Sequence, residues 1–410
     1  MDRKYQYNTT ENKEFLSGLR NELLRFGKKF PSQGGSSYYL GDDGTPWTDR
    51  PRETWITCRM AHVYSIGCML LNKDCDKLAE AAIRGISGEL YDEKSSGWYA
   101  GLTADGGILP NKQCYAHAFV ILAASSAYLA GIEGAEKLLN KALTVYDEKF
   151  WDEKEGLAVD TWDTDFKVLS KYRGLNANMH TVEAFLAAAD ALGDDKYRVR
   201  AGRIIDRVIG WAGDNNWRIP EHFTDMWEPD LECNIDNKAD RFKPYGATPG
   251  HGIEWARLIT QWAKSTYENE SANSYIDAAV KLYNTAVSDA WCREGEPGIA
   301  YTTDWDGNPV VKDRMHWTLA EAINTSAVLA NVTGDKRYSD DFAMFIEYLD
   351  NYVHDKKNGS WFHQLDEHNK VIGTVWPGKS DLYHAFQATL IPYSDVSLSI
   401  AKAVKNNEKI

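Results

Sequence analysis

Along the chain, stretches that are apolar on every side alternate with stretches that are apolar on one side only. Residues 115–131, YAHAFVILAASSAYLAG, leave a helix almost no face for water. The next stretch, 136–150, places Leu138, Leu139, Ala142, Leu143 and Tyr146 on one stripe and its charged residues opposite. The first pattern predicts a buried inner helix, the second an outer wall. The same order returns at 178–192 followed by 196–212, and at 316–332 followed by 337–353.

Six turn-rich, aromatic stretches separate these pairs: 38–47, 97–109, 150–163, 216–230, 300–311 and 360–372. Turn residues such as DG, GG and HN interrupt aromatic or β-branched runs there, which mostly predicts short β-hairpins. Five helix pairs fit between the hairpins, and a sixth requires a C-terminal helix near 381–394 to close on an N-terminal helix near 10–28. The expected fold is all-α, an (α/α)6 barrel or toroid with short β-hairpins in its connecting loops. A two-domain α-helical protein is the alternative. No Pro/Gly/Ser-rich linker interrupts residues 1–410, which favours a single domain.

In such a ring the inner helices run the same way, so residues near their starts converge on one mouth. The first inner helix offers Trp55, Arg59 and His62; the second, Tyr115 and His117; the third, Asn176, His180 and Glu183. The fourth opens TPGHGIEWARL with His251 and Glu254; the fifth offers His316, Trp317 and Glu321; the sixth, Asp381, Tyr383 and His384. Arg59, His117, His180, His251, Glu321 and His384 follow one another at 58, 63, 71, 70 and 63 residues, a similar place in each repeat. His62 and His117 read as hydrogen-bonded core histidines, and His316 fits an exposed position equally well. His180, His251 and His384 together read as functional, because several unpaired imidazoles at one mouth cost stability. Glu254, one helical turn from His251, is expected to fix its tautomer. No H-E-x-x-H, dinucleotide fingerprint or P-loop lysine motif occurs, so neither a metal nor a nucleotide cofactor is expected. The long connection from 216 to 250, with His222 and Arg241, is expected to overhang the mouth.

A formal net charge of −14 argues against nucleic acid or an anionic membrane as partner. The 15 Trp and 22 Tyr residues suit either stacking on sugar rings or core packing. The first residues carry no apolar leader, and no 18-residue apolar run follows. The six cysteines lack C-x-x-C spacing and read as reduced, mostly buried thiols, which fits a cytoplasmic location.

Taken together, TWITCRMAHVYS, YRGLNANMHTVEAFL, RFKPYGATPGHGIEWARL, the Trp317–Glu321 segment and GKSDLYHA resemble the N-acylglucosamine 2-epimerase superfamily. The closer likeness is to its aldose–ketose isomerase branch, which holds mannose and sulfoquinovose isomerases. The resemblance spans nearly the whole chain and implies an (α/α)6 barrel that moves protons at C1 and C2 of a sugar without a metal. It implies His251 and His384 as the catalytic pair, with Arg59, Asn176, His180, Glu254 and Glu321 holding substrate or supporting them. Trp55, Tyr115, Arg241, Trp317, Trp376 and Asp381 complete the expected set.

Isomerisation requires ring opening, removal of the C2 proton and its return to C1 through a cis-enediol. A histidine suits both halves because its pKa lies near neutrality. His384 is expected to shuttle the carbon-bound proton, and His251, braced by Glu254, to serve the oxygens. Arg59 is expected to stabilise the enediolate. His363 and Ser380 stand where the sulfosugar branch would carry glutamine, so D-mannose to D-fructose is preferred over sulfoquinovose to sulfofructose. A sugar 2-epimerase, a glycoside hydrolase built on Glu254 and Glu321, and a non-catalytic sugar binder are the other readings. The expected ligand is a monosaccharide; oligomeric state has no signal in the sequence.

Overall fold

The computed structural model describes residues 5–267, 270–293 and 295–406. Its α-helices are α1 (Thr10–Phe26), α2 (Thr54–Met69), α3 (Cys75–Ser87), α4 (Cys114–Ala130), α5 (Ala135–Lys149), α6 (Leu175–Leu192), α7 (Asp195–Asp214), α8 (Pro249–Thr266), α9 (Asn273–Ala290), α10 (His316–Thr333), α11 (Lys336–Tyr348), α12 (Tyr383–Gln387) and α13 (Ile400–Asn406). The even-numbered helices α2 to α12 pack side by side, and α12 returns to α2 to close a ring. Helices α3, α5, α7, α9 and α11 each lie outside the inner helix that precedes them, and α1 covers α12. This is an (α/α)6 barrel.

Periodicity explains the two layers. The inner helix α4 buries every residue except Tyr115, Tyr128 and Ala130, whereas α5 buries chiefly the stripe that includes Leu138, Leu139, Ala142, Leu143 and Tyr146. Three inner helices end on a glycine in the left-handed conformation, Gly131, Gly193 and Gly334 (φ 78°, 69° and 70°), which folds the chain back into the outer helix. One hydrophobic cluster runs from Tyr5 to Val404 through both layers.

The short strands form a crown at the end of the barrel where the inner helices begin. The residues leading into α2, Arg52–Glu53, pair with Gly101–Leu102 of the next repeat. Asn111–Gln113 pair with Thr161–Asp163, Arg173–Gly174 with His222–Phe223, and Arg314–Met315 with Gln364–Leu365. Single bridges, Ala247 to Thr303 and Lys379 to Leu40, supply the remaining two links. Each inner helix start is therefore stitched to the following repeat, and the last link joins the two ends of the chain.

Several expectations change. The stretches at 38–47, 97–109, 150–163 and 300–311 contain local hairpins. Those at 216–230 and 360–372 are instead closed by one bridge each, and their strands pair with the lead-in of the preceding inner helix. The sixth inner helix is only five residues long, followed by a 3-10 turn at Ile391–Tyr393. Pro392 lacks the N–H that a continuing helix would need. The unforeseen α13 packs on α2, α4 and α6. All six cysteines are free, but only Cys58, Cys75 and Cys114 are buried. Among the described residues no helix is long and apolar enough to cross a membrane.

Candidate active site

The inner-helix starts converge as their spacing implies. Arg59, Tyr115, Asn176, His180, His251, Glu254, Trp317, Asp381 and His384 all line one hollow inside the crown. Arg241 and Trp376 reach it from the overhanging connections, as do Phe242, Pro244 and Tyr301. Two expected residues stand apart. Trp55 lies behind the wall, edge-on to Tyr115, Phe242 and Trp376. Glu321 lies beneath the floor, fully buried.

His251 and His384 share this hollow with Trp317 beside both, its ring 5.0 Å from the first imidazole and 5.8 Å from the second. Gly250 permits that approach: a Cβ there would lie 2.7 Å from the Trp317 ring. Each imidazole has its own carboxylate. The Nδ1 of His384 meets Glu321 Oε1 at 2.9 Å, and the Nδ1 of His251 meets Glu221 Oε2 at 2.9 Å. The second pairing corrects the sequence reading, which assigned Glu254 as the brace of His251. Glu221 precedes the crown strand His222–Phe223, and its other oxygen accepts from the Thr248 N–H at the start of α8. Each Nδ1 engaged with a carboxylate leaves Nε2 as the nitrogen not tied to that carboxylate.

Glu254 belongs to a charged layer below. Arg257 donates to Glu321 at 2.8 Å, reaches Glu254 at 3.5 Å and lies 3.9 Å from Glu183. Burial raises the pKa of both Glu254 and Glu321. Arg257 favours the ionised form most where it binds most closely, so Glu254, whose Oε2 has no hydrogen-bond partner, is raised further than Glu321. Burial also pushes Glu183 upward, but His180, Arg257 and the Tyr383 hydroxyl together hold it well below the usual carboxylate range. His180 lies 3.5 Å from Glu183. Burial, with Arg59 nearby, holds His384 well below the ordinary histidine pKa, which favours the neutral imidazole.

Arg59 is fixed by Asp381 at 3.2 Å and the Tyr115 hydroxyl at 2.8 Å, beneath the rings of Trp55, Phe119 and Tyr383. Burial opposes its charge, but Tyr115, Asp381 and Tyr383 raise its pKa above the ordinary arginine value. Arg241 donates to the Tyr39 hydroxyl at 2.6 Å and pairs with Glu53 at 3.7 Å. Glu254, Glu321 and His384, and likewise His180, Glu183 and Glu254, bring potential ligand atoms within 4.8 Å of one another. Arg257 already supplies positive charge to these carboxylates.

His62 and His117 are core residues as expected, with partners at Ser126 (2.7 Å) and the Gln113 carbonyl (2.7 Å). His316, which the sequence allowed at the surface, is buried and lines the hollow. The sequence reading also missed the roles of Glu221 and Arg257. Both lie inside stretches already singled out, 216–230 and TPGHGIEWARL, but His251 is 30 residues from Glu221 and Glu321 is 64 residues from Arg257.

A model of the family N-acylglucosamine 2-epimerase (GlcNAc 2-epimerase) matches residues 34–388. A D-mannose isomerase of Pseudomonas cannabina pv. alisalensis is 40% identical over 392 residues, 95% of this chain and 94% of that one. A D-mannose isomerase of Thermobifida fusca is 39% identical over 369 residues, 89% of this chain and 90% of that one. A crystal structure of a D-mannose isomerase superposes with a TM-score of 0.87 at 28% identity, covering 94% of this chain and 99% of its own.

Proposed function

The chain belongs to the N-acylglucosamine 2-epimerase family, and on that premise we propose that it is an aldose–ketose isomerase interconverting D-mannose and D-fructose. The observation that carries the chemistry is the pair of imidazoles on one hollow, each backed through Nδ1 by its own carboxylate.

In this reading, His251 serves the sugar oxygens, opening the pyranose and moving hydroxyl protons, with Glu221 steadying the imidazolium that forms. The neutral Nε2 of His384 takes the C2 proton and returns it to C1, and Glu321 stabilises the charge His384 gains in between. Arg59 faces the enediolate, whose negative charge is the costliest feature of the path in a dry site. Asn176, His180 and Asp381 hold the hydroxyls, and Trp317 and Trp376 supply apolar walls.

Arg241 and Arg59 reach the hollow, but Glu53 and Asp381 already compensate their charge, which favours a neutral hexose over a sulfonated one. Glycoside hydrolysis fits poorly: two carboxylates must flank the scissile bond, and Glu321 faces Arg257 and His384 beneath the floor. We further propose a single catalytic unit acting on a free monosaccharide in the cytoplasm, its acid–base groups all supplied by the chain.

The test is incubation with D-mannose in heavy water, followed by chromatography and mass analysis of the products. Fructose bearing deuterium supports the proposal, and retention of the proton is compatible with direct transfer. Glucose without fructose would identify a 2-epimerase instead. The His384→Asn and His251→Asn proteins are expected to lose about 10²–10⁴-fold in kcat, and near-full turnover by either would overturn the assignment.

A further inference from the structure

The first residue of α10, His316, has no part in the chemistry above, yet it lines the catalytic hollow beside Ser380 and Asp381. It is only 7% exposed, and neither ring nitrogen has a hydrogen-bond partner within 3.5 Å at good geometry, although the His363 backbone acts on the ring. A buried imidazole with both nitrogens idle destabilises the empty protein unless something arrives to use them. The ring is also held in place. It stacks on His363 with centroids 3.7 Å apart and planes 12° apart, and its backbone N–H donates to the His363 carbonyl at 3.1 Å. On the far side of the stack, the Ser380 N–H donates to His363 Nδ1 at 3.4 Å.

We propose that His316 is a specificity residue, exchanging hydrogen bonds with a hydroxyl of the bound hexose remote from the reacting carbons. This rests on the isomerase reading of the same site. Three observations select a hydroxyl over other ligand groups. A neutral imidazole offers one N–H donor and one bare acceptor, and a hydroxyl is itself both. Burial lowers the His316 pKa to about 4, and the stacked His363 is depressed as well, so the pair presents no cation to an anionic group. The ring centre lies 6.5 Å from that of His384, so a sugar whose C1 and C2 stand at His384 offers His316 a hydroxyl further along the molecule.

The experiment compares His316→Phe with wild type on D-mannose and on its 3-, 4- and 6-deoxy analogues, with kcat, KM and thermal midpoint measured for each protein. Phenylalanine keeps a ring on His363 and removes both nitrogens. Wild type should lose on the order of 10- to 100-fold in kcat/KM on one analogue, because the site's polar group is then left unpaired. His316→Phe should lose a similar factor on mannose and show no further loss on that analogue, while His316→Gln recovers part of it. Should His316→Phe not fold, His316→Met carries the same comparison. Unchanged kcat/KM on mannose in the apolar variant, or the same analogue penalty in both proteins, would overturn the inference while leaving the isomerase intact. A wild-type protein inert toward mannose would sink both.

Discussion

His251 and Glu221, 30 positions apart in sequence, are joined by a 2.9 Å contact between Nδ1 and Oε2 that ties the start of α8 to the crown. The same carboxylate accepts from Thr248 N–H at 3.3 Å, so one side chain sets both the helix start and the imidazole plane. Glu221→Gln keeps the shape and removes the charge. We expect kcat to fall about 100-fold or more with a smaller change in KM, as when a carboxylate that orients a catalytic histidine is amidated. An unchanged kcat would leave Glu221 a purely structural role.

Glu254 and Glu321 should respond unequally to amidation. Burial raises the Glu254 pKa further than that of Glu321, which favours its neutral form, so Glu254→Gln is expected to leave the thermal midpoint within a few degrees. Glu321→Gln removes the 2.8 Å carboxylate partner of Arg257 and leaves Glu183, at 3.9 Å, to balance its charge, so it is expected to be the more destabilising change, by about 1–3 kcal/mol. Denaturant titration of the two proteins under one buffer reads the difference directly. Equal losses would contradict this ordering.

Stability should depend on pH through the buried histidines. Burial depresses His62, His180 and His316 to about 4 and His117 to about 3. The unfolded chain takes up these protons near pH 6.5, before the folded protein does. The stabilisation of the neutral state is therefore complete above that value and is lost as pH falls. At pH 5 each such histidine costs about 2 kcal/mol relative to neutrality. The thermal midpoint should decline steadily from pH 7 to pH 5, and a flat profile would contradict the burial described.

Chelation offers a further check. Arg59 and Arg257 supply the positive charge around the buried carboxylates, so exhaustive dialysis against EDTA should leave the isomerase rate unchanged. Activity lost on dialysis and restored by a divalent ion would assign the Glu254, Glu321 and His384 cluster to metal binding.

Much of this was legible in the sequence because a repeat that cannot bury its own face must show the same face again. The all-round apolarity of α4 against the single stripe of α5 gives the two layers, and the spacing from Arg59 to His384 gives the convergence. What escaped depends on contacts between residues remote along the chain. Glu254 is the obvious neighbour of His251 along α8, but the crown brings Glu221 closer, and no helical period reports on a crown. Arg257 appears in the quoted strip as an ordinary helix residue until Glu183 and Glu321 arrive from α6 and α10. His316 reads equally well inside or outside because its stacking partner, His363, belongs to another repeat.

The closure of the ring also bears on how the molecule is made. Tyr393 donates to Asn12 at 2.7 Å across 381 positions, Arg20 reaches the Thr389 carbonyl at 3.3 Å, and Lys379 bridges to Leu40 in the crown. During synthesis α1 emerges before α12 and lacks that neighbour until α12 leaves the ribosome. The segment that closes the ring is also the one that carries His384. On the proposed reading, a nascent barrel missing its last repeat therefore lacks one of its two imidazoles as well as its closure.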